Sequence, residues 1–162
     1  MNKFEYLEHT ADIKFAAYGK TREEVFNNCA KALINSICDI EKLKITKKIK
    51  IIIKSKNIQP LLYDFLSEIL YQVDANSFLT KDCVNISITK KDNNNNNNKK
   101  NNDDDENDNN DNNNFVLKAT LCGDHYKNKN YEIKTDIKSV TYNSMSFEKT
   151  KTGFKAVVVI DQ

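Results

Sequence analysis

Between Lys91 and Asn114 this chain carries no apolar side chain at all; the stretch reads almost entirely Asn, Asp, Lys and Glu. A segment of that composition has nothing to bury and cannot offset the entropy lost on ordering it. Any core must therefore be assembled from residues 1–90 and 115–162, which together are ample for one. The 162-residue chain is expected to be a single domain, 1–162, interrupted over 91–114 by a disordered low-complexity insertion.

Setting the tract aside changes the charge. It holds three Lys against six Asp and one Glu, a net −4, whereas the whole chain has a net charge of +2. The remainder is thus +6, and Arg22 is its only arginine. Sequence-specific reading of phosphates and guanines leans on the forked guanidinium, so a direct nucleic-acid reader is not expected. A weak or indirect attraction to RNA, or to an acidic protein face, stays open.

Cys29, Cys38, Cys83 and Cys122 form no Cys-x-x-Cys pair and are read as reduced intracellular thiols, not disulfide or zinc ligands. The sequence shows neither a leader pattern nor an apolar run of bilayer length. The expectation is a soluble intracellular protein, in cytoplasm or nucleus, without membrane contact. Gly19, Gly123 and Gly153 stand far apart, which leaves no phosphate loop or dinucleotide fingerprint. The histidines, His9 and His125, meet no serine or cysteine in a recognisable nucleophile motif.

Periodicity sets out the elements. Asp12 to Tyr18 alternates, with Ile13, Phe15 and Ala17 on one face of a strand ending at Gly19. Thr21-Arg22-Glu23-Glu24 matches a capping box, and a helix follows with Val25, Phe26, Cys29, Leu33, Ile34 and Ile37 along one stripe. Thr46 to Ser55 is a β-branched, lysine-studded strand with Ile49, Ile51 and Ile53 inward. Asn57-Ile58-Gln59-Pro60 starts a second helix, with the proline at or near its first position and Leu61, Leu62, Phe65, Leu66, Ile69, Leu70 and Val73 as its apolar stripe. Strands are then expected over Val84–Lys90, Phe115–Cys122, Ser139–Lys149 and Phe154–Ile160, with the tract in a hairpin-like loop. Strand, helix, strand, helix and a run of strands predict an α+β domain with mixed or antiparallel sheets and two main helices.

Asp12, just before the first long strand, and Asp161, beside the final Gln162, draw attention together. Chain ends often lie close at the surface, and two carboxylates with a terminal carboxylate would make an all-oxygen set suited to Mg²⁺, Ca²⁺ or Mn²⁺ over zinc. The competing readings are plain ones. Asp12 can serve a turn by bonding its own backbone, Asp161 can be a solvated chain end, and His9 can be a half-buried histidine satisfied by backbone.

Several blocks resemble the archease family. They are Phe4-Glu5-Tyr6-Leu7-Glu8-His9-Thr10-Ala11-Asp12-Ile13, Ala17-Tyr18-Gly19-Lys20-Thr21 with its helix, and Leu61-Leu62-Tyr63-Asp64-Phe65-Leu66-Ser67-Glu68-Ile69-Leu70-Tyr71. Downstream come Gly123-Asp124, Ile137-Lys138-Ser139-Val140-Thr141-Tyr142 and a terminal strand closing on Asp161. The His-Thr-Ala-Asp block with the terminal Asp is the more specific signal. The resemblance implies an accessory protein, not an enzyme, that assists an RtcB-type RNA ligase in tRNA splicing. It would promote ligase guanylylation and so repeated turnover.

The resemblance also implies a metal site on Asp12, Asp161 and the main-chain or terminal oxygen of Gln162, holding Ca²⁺ or Mg²⁺. Two departures stand out: Asn143 where relatives often carry His, and Gln162 where they tend to end on an apolar residue. A second role proposed within the family is that of a chaperone-like modulator of a tRNA methyltransferase. A hydrolase built on His9, Asp12 and metal is disfavoured, because no nucleophile–base pair can be assembled. Lys127, Lys129 and Lys138 are candidate surface contacts. The sequence does not set the oligomeric state.

Overall fold

The computed structural model describes residues 2–91, 114–127 and 131–162. Its strands form two sheets. The first is four-stranded, with β1 (Phe4–Leu7), β2 (Ile13–Gly19), β6 (Ser139–Lys149) and β7 (Phe154–Asp161) in the order β1-β2-β7-β6. The second is three-stranded, with β3 (Lys47–Ser55), β4 (Phe78–Lys90) and β5 (Phe115–His125) in the order β3-β5-β4. Every pairing is antiparallel. Helices α1 (Arg22–Ile37) and α2 (Ile58–Asn76) each touch both sheets, so their apolar stripes join the inner faces of the sheets in one core. This is the α+β architecture that the element order predicts.

Local chemistry explains the elements. The Thr21 hydroxyl accepts from the Glu24 amide at 3.1 Å. The Glu24 carboxylate reaches back one residue further than a capping box requires, to the Lys20 N–H at 2.7 Å. All six residues of the expected α1 stripe are buried, and each such aliphatic or aromatic side chain contributes roughly 1.5–3 kcal/mol on leaving water. Helix α2 starts within Asn57–Pro60 as expected, with Asn57 at the N-cap and Pro60 third, near the first position. The proline's missing N–H falls among the four amides that a helix start leaves unpaired. Helix α2 ends at Ser77, left-handed at φ 54°, ψ 33°, whose N–H caps the Gln72 carbonyl.

The largest departure from expectation is β4, which begins at Phe78, six residues before Val84. Phe78 and Leu79 are fully buried, but register shifts between Thr80 and Asp82 and between Val84 and Ser87 break the alternation that would reveal them. Strand β5 likewise runs on to His125. There Gly123 passes so close to β4 that a Cβ would sit 1.9 Å from the Leu79 carbonyl oxygen, leaving glycine the only residue that fits.

The tract spans a β4–β5 hairpin, as its sequence position implies. Lys90 pairs with Phe115, and the Lys91 N–H donates to the Asn114 carbonyl at 2.6 Å. The expected disorder of 91–114 otherwise falls on residues outside those described, as does Lys129. No helix among the described residues is long and apolar enough to cross a membrane.

Candidate metal-binding site beside the β2–β7 ladder

The β2–β7 ladder brings the β1–β2 connection to the end of β7, whereas the first residues of the chain lie at the other end of β2, where the Tyr18 N–H donates to the Lys3 carbonyl at 3.0 Å. Its last pair is Ile13 with Ile160, so Asp12 and Asp161 follow as the next residue on each neighbouring strand. The Gln162 side-chain amide donates to the Ala11 carbonyl at 2.6 Å, across 151 positions of sequence. On the other side of β7, Asp161 pairs with Ser139, and its carbonyl accepts from the Lys138 N–H at 2.8 Å. The end of the chain is therefore tied both to the segment before β2 and to the start of β6.

The approach to Asp12 is tightly turned. Ala11 sits left-handed at φ 53°, a conformation that costs an alanine about 1 kcal/mol or more, and the Asp12 N–H donates to the Thr10 carbonyl at 2.8 Å. The turn at Asp12 is closed by this main-chain bond. Asp12 and Asp161 are both half-buried, and among the described residues neither takes part in an ion pair. Asp12 also borders a cavity of about 390 Å³ lined by Tyr6, Asn35, Ser36 and Lys134.

The donor chemistry fits a hard divalent cation held through two carboxylates, but only in part. Among the described residues, no three His, Cys, Asp or Glu side chains converge as a closed metal site would need. Main-chain or terminal oxygens, water or a partner's ligand must complete the shell. His9 lies exposed in the segment between β1 and β2. His125 is far along the sequence on β5, with Nδ1 2.8 Å from the Asn76 carbonyl and its ring edge-on to Phe78.

The other reactive groups are buried. All four cysteines are unpaired and buried. Burial pushes the Cys38 thiol up to about 11 and raises Cys29, Cys83 and Cys122 as well, so none is a ready nucleophile. Asp124 is buried too. It accepts from the Thr46 hydroxyl at 2.5 Å, the Tyr131 hydroxyl at 2.7 Å and the His125 N–H at 3.0 Å. That constellation clamps the start of β3 and the segment after β5 to the end of β5, and sequence reading gave no sign of its partners. The cavity residues Tyr6, Asn35 and Lys134 also went unseen. Tyr6 and Lys134 are bonded to α1, through the Ala32 and Ile37 carbonyls, and no local period foretells such contacts.

The fold and the paired carboxylates define a class: a small two-sheet α+β protein in which the β1–β2 connection meets the end of β7 at one polar, half-buried corner. The chain belongs to the archease protein family, whose sequence profile matches residues 4–161. It is 37% identical over 159 residues to the protein archease of Methanosarcina barkeri, a match covering 98% of this chain and 95% of that one. The structure is similar to the solution structure of protein 1598 of Methanobacterium thermoautotrophicum, with a TM-score of 0.74, 26% identity and 100% of both chains covered. An archease from Thermotoga maritima, described as a possible chaperone, shares the fold at a TM-score of 0.56 and 18% identity, with 96% and 94% of the two chains covered.

Proposed function

We propose that this chain is a metal-binding activator of an RtcB-type RNA ligase, promoting ligase guanylylation and repeated turnover in tRNA splicing. The observation that carries this reading is the meeting of Asp12 and Asp161 beyond the last β2–β7 pair, beside a Gln162 tied to Ala11, in a chain of the archease family. In it, Asp12 and Asp161 hold a Ca²⁺, Mg²⁺ or Mn²⁺ ion, and the main-chain or terminal oxygen of Gln162 adds a third donor. The ion would supply positive charge against phosphate oxygens of the ligase's nucleotide. The protein's own part is to hold that carboxylate pair in register, half-exposed, where a partner can reach it.

The test is guanylylation of a cognate ligase with GTP and divalent metal, comparing wild type with Asp12→Ala. Wild type is expected to raise the fraction guanylylated, and Asp12→Ala, folded by circular dichroism, to lose at least about tenfold of that effect, as removal of one of few ligands does. Full stimulation by the folded variant would sink the reading. A second reading is a chaperone-like modulator of a tRNA methyltransferase, and only its chaperone-like part draws on the description of the Thermotoga maritima relative as a possible chaperone. It predicts methyltransferase binding that is the same with and without divalent metal.

A further inference from the structure

The three-stranded sheet turns one face to the helices and the other outward. On β3 the outward residues are Lys48, Lys50, Ile52 and Lys54, all exposed, while Ile49, Ile51 and Ile53 face the core. Ile52 is registered with Lys118 of β5, which is exposed as well, and Lys50 with Thr120. Among the described residues none of these four lysines forms an ion pair. The one carboxylate in these rows, Asp82 of β4, is held by Lys31 and Asn27 of α1.

Protection of an exposed sheet edge explains lysines on β3, which is an edge strand. It does not explain Lys118, which stands on the central strand β5. A merely solvated face would also mix charge signs, and this one is unbalanced. We propose that the outward face of β3 and β5, centred on Lys48, Lys50, Lys54 and Lys118, binds the phosphate backbone of extended single-stranded RNA. Alternate residues of a strand lie about 6.5–7 Å apart, an interval close to that between successive phosphates of a stretched ribose-phosphate chain. A protein partner would need apolar anchors at the centre of its footprint; among the described residues the exposed large hydrophobic on this face is Ile52, 63% exposed, while Val84 and Val116 in the rows of Lys50 and Lys54 are half-buried and buried. Spread, unpaired charge on a flat surface suits a polyanion read without sequence preference.

The experiment is fluorescence anisotropy of a labelled single-stranded RNA oligonucleotide titrated with the full chain over a salt series. Three proteins are compared: wild type, the face triple Lys50→Gln/Lys54→Gln/Lys118→Gln, and a control triple Lys20→Gln/Lys149→Gln/Lys151→Gln. The control changes net charge equally at exposed positions outside the three-stranded sheet. Wild-type affinity is expected to fall with salt at a log–log slope of about −0.7 per phosphate neutralised. The face triple is expected to lose about tenfold or more at low salt and to flatten that slope by about 2, with the control nearly unchanged.

Equal loss in both triples would reduce the effect to net charge and overturn the proposal. So would wild-type protein that shows no salt-dependent RNA binding. Displacement of RNA by an equally charged polyglutamate at no higher concentration would overturn it in favour of an acidic protein partner. The guanylylation assay above contains GTP and metal but no RNA, so the face triple is expected to stimulate it fully, and failure of the ligase reading leaves the anisotropy result readable by itself.

Discussion

Asp124 and Asp82 show how differently two aspartates of one fold can be used. Asp124 is buried and accepts from donors that include the Thr46 and Tyr131 hydroxyls and the His125 N–H, so Asp124→Ala strips those two hydroxyls of that acceptor. The expected cost is roughly 2–4 kcal/mol, because buried donors left unmade carry their full desolvation penalty; a urea midpoint within error of wild type would refute it. At Asp82, burial opposes the charge, but the Lys31 ammonium at 2.9 Å, the Asn27 amide at 2.8 Å and the Cys83 N–H at 3.1 Å outweigh it. They hold the carboxyl below the usual aspartate range. A carboxyl with a lowered folded pKa adds stability above its unfolded value and loses it as pH falls through the folded one. Asp82→Asn is therefore expected to flatten the acid limb of stability, read as urea midpoints from about pH 6 down to about pH 2. A limb as steep as wild type would show that the pairing contributes nothing.

At the scale of elements, the hairpin is the place to test what the tract contributes. Lys91 and Asn114 already close the β4–β5 ladder with a backbone hydrogen bond, so an Asn-Gly turn joining them in place of residues 92–113 suits the geometry of a two-residue hairpin. Shortening the loop is expected to keep the fold and add about 1–2 kcal/mol through a smaller closure entropy, seen as a higher urea midpoint at unchanged slope. Loss of cooperative unfolding would mean that the tract supports the sheet. Most elements were legible because their apolar period was intact: α1, α2 and β3 carry unbroken stripes of 3.6 or 2. The first half of β4 was not, since its register shifts place Thr80 and Asp82 where alternation would put apolar residues.

For the whole molecule, the ladder that sets Asp12 beside Asp161 would make the proposed metal binding and global stability one measurement. A cation bound only by the folded carboxylate pair must raise the unfolding midpoint, by about 2.7 kcal/mol of stabilisation at a hundredfold excess over its dissociation constant. Ca²⁺ or Mg²⁺ is expected to raise the thermal midpoint of wild type and to leave that of Asp12→Ala unmoved. Equal shifts in both proteins would remove Asp12 from the site. The variant itself is expected to stay within about 1 kcal/mol of wild type without metal, since Asp12 is half-buried and its carboxylate has no ion-pair partner among the described residues.

What the sequence by itself determined was everything with a short range. The tract had no apolar residue with which to join a core, the helix stripes and the Thr21 cap lay within a few turns, and the block around Asp12 carried a family resemblance that the profile match over 4–161 bears out. It also nominated Asp12 and Asp161 as a pair. Only the tertiary structure decided that the seven strands of the described residues divide into two sheets, that β7 lies between β2 and β6, and that Asp12 and Asp161 follow directly on one ladder pair. It alone buried Asp124 between Thr46 and Tyr131 and gathered lysines of β3 and β5 on one face. The reason is physical. Periodicity and capping act between neighbours a few residues apart, whereas register between strands up to about 150 residues apart is selected by which apolar faces can be buried together, and that choice belongs to the chain as a whole.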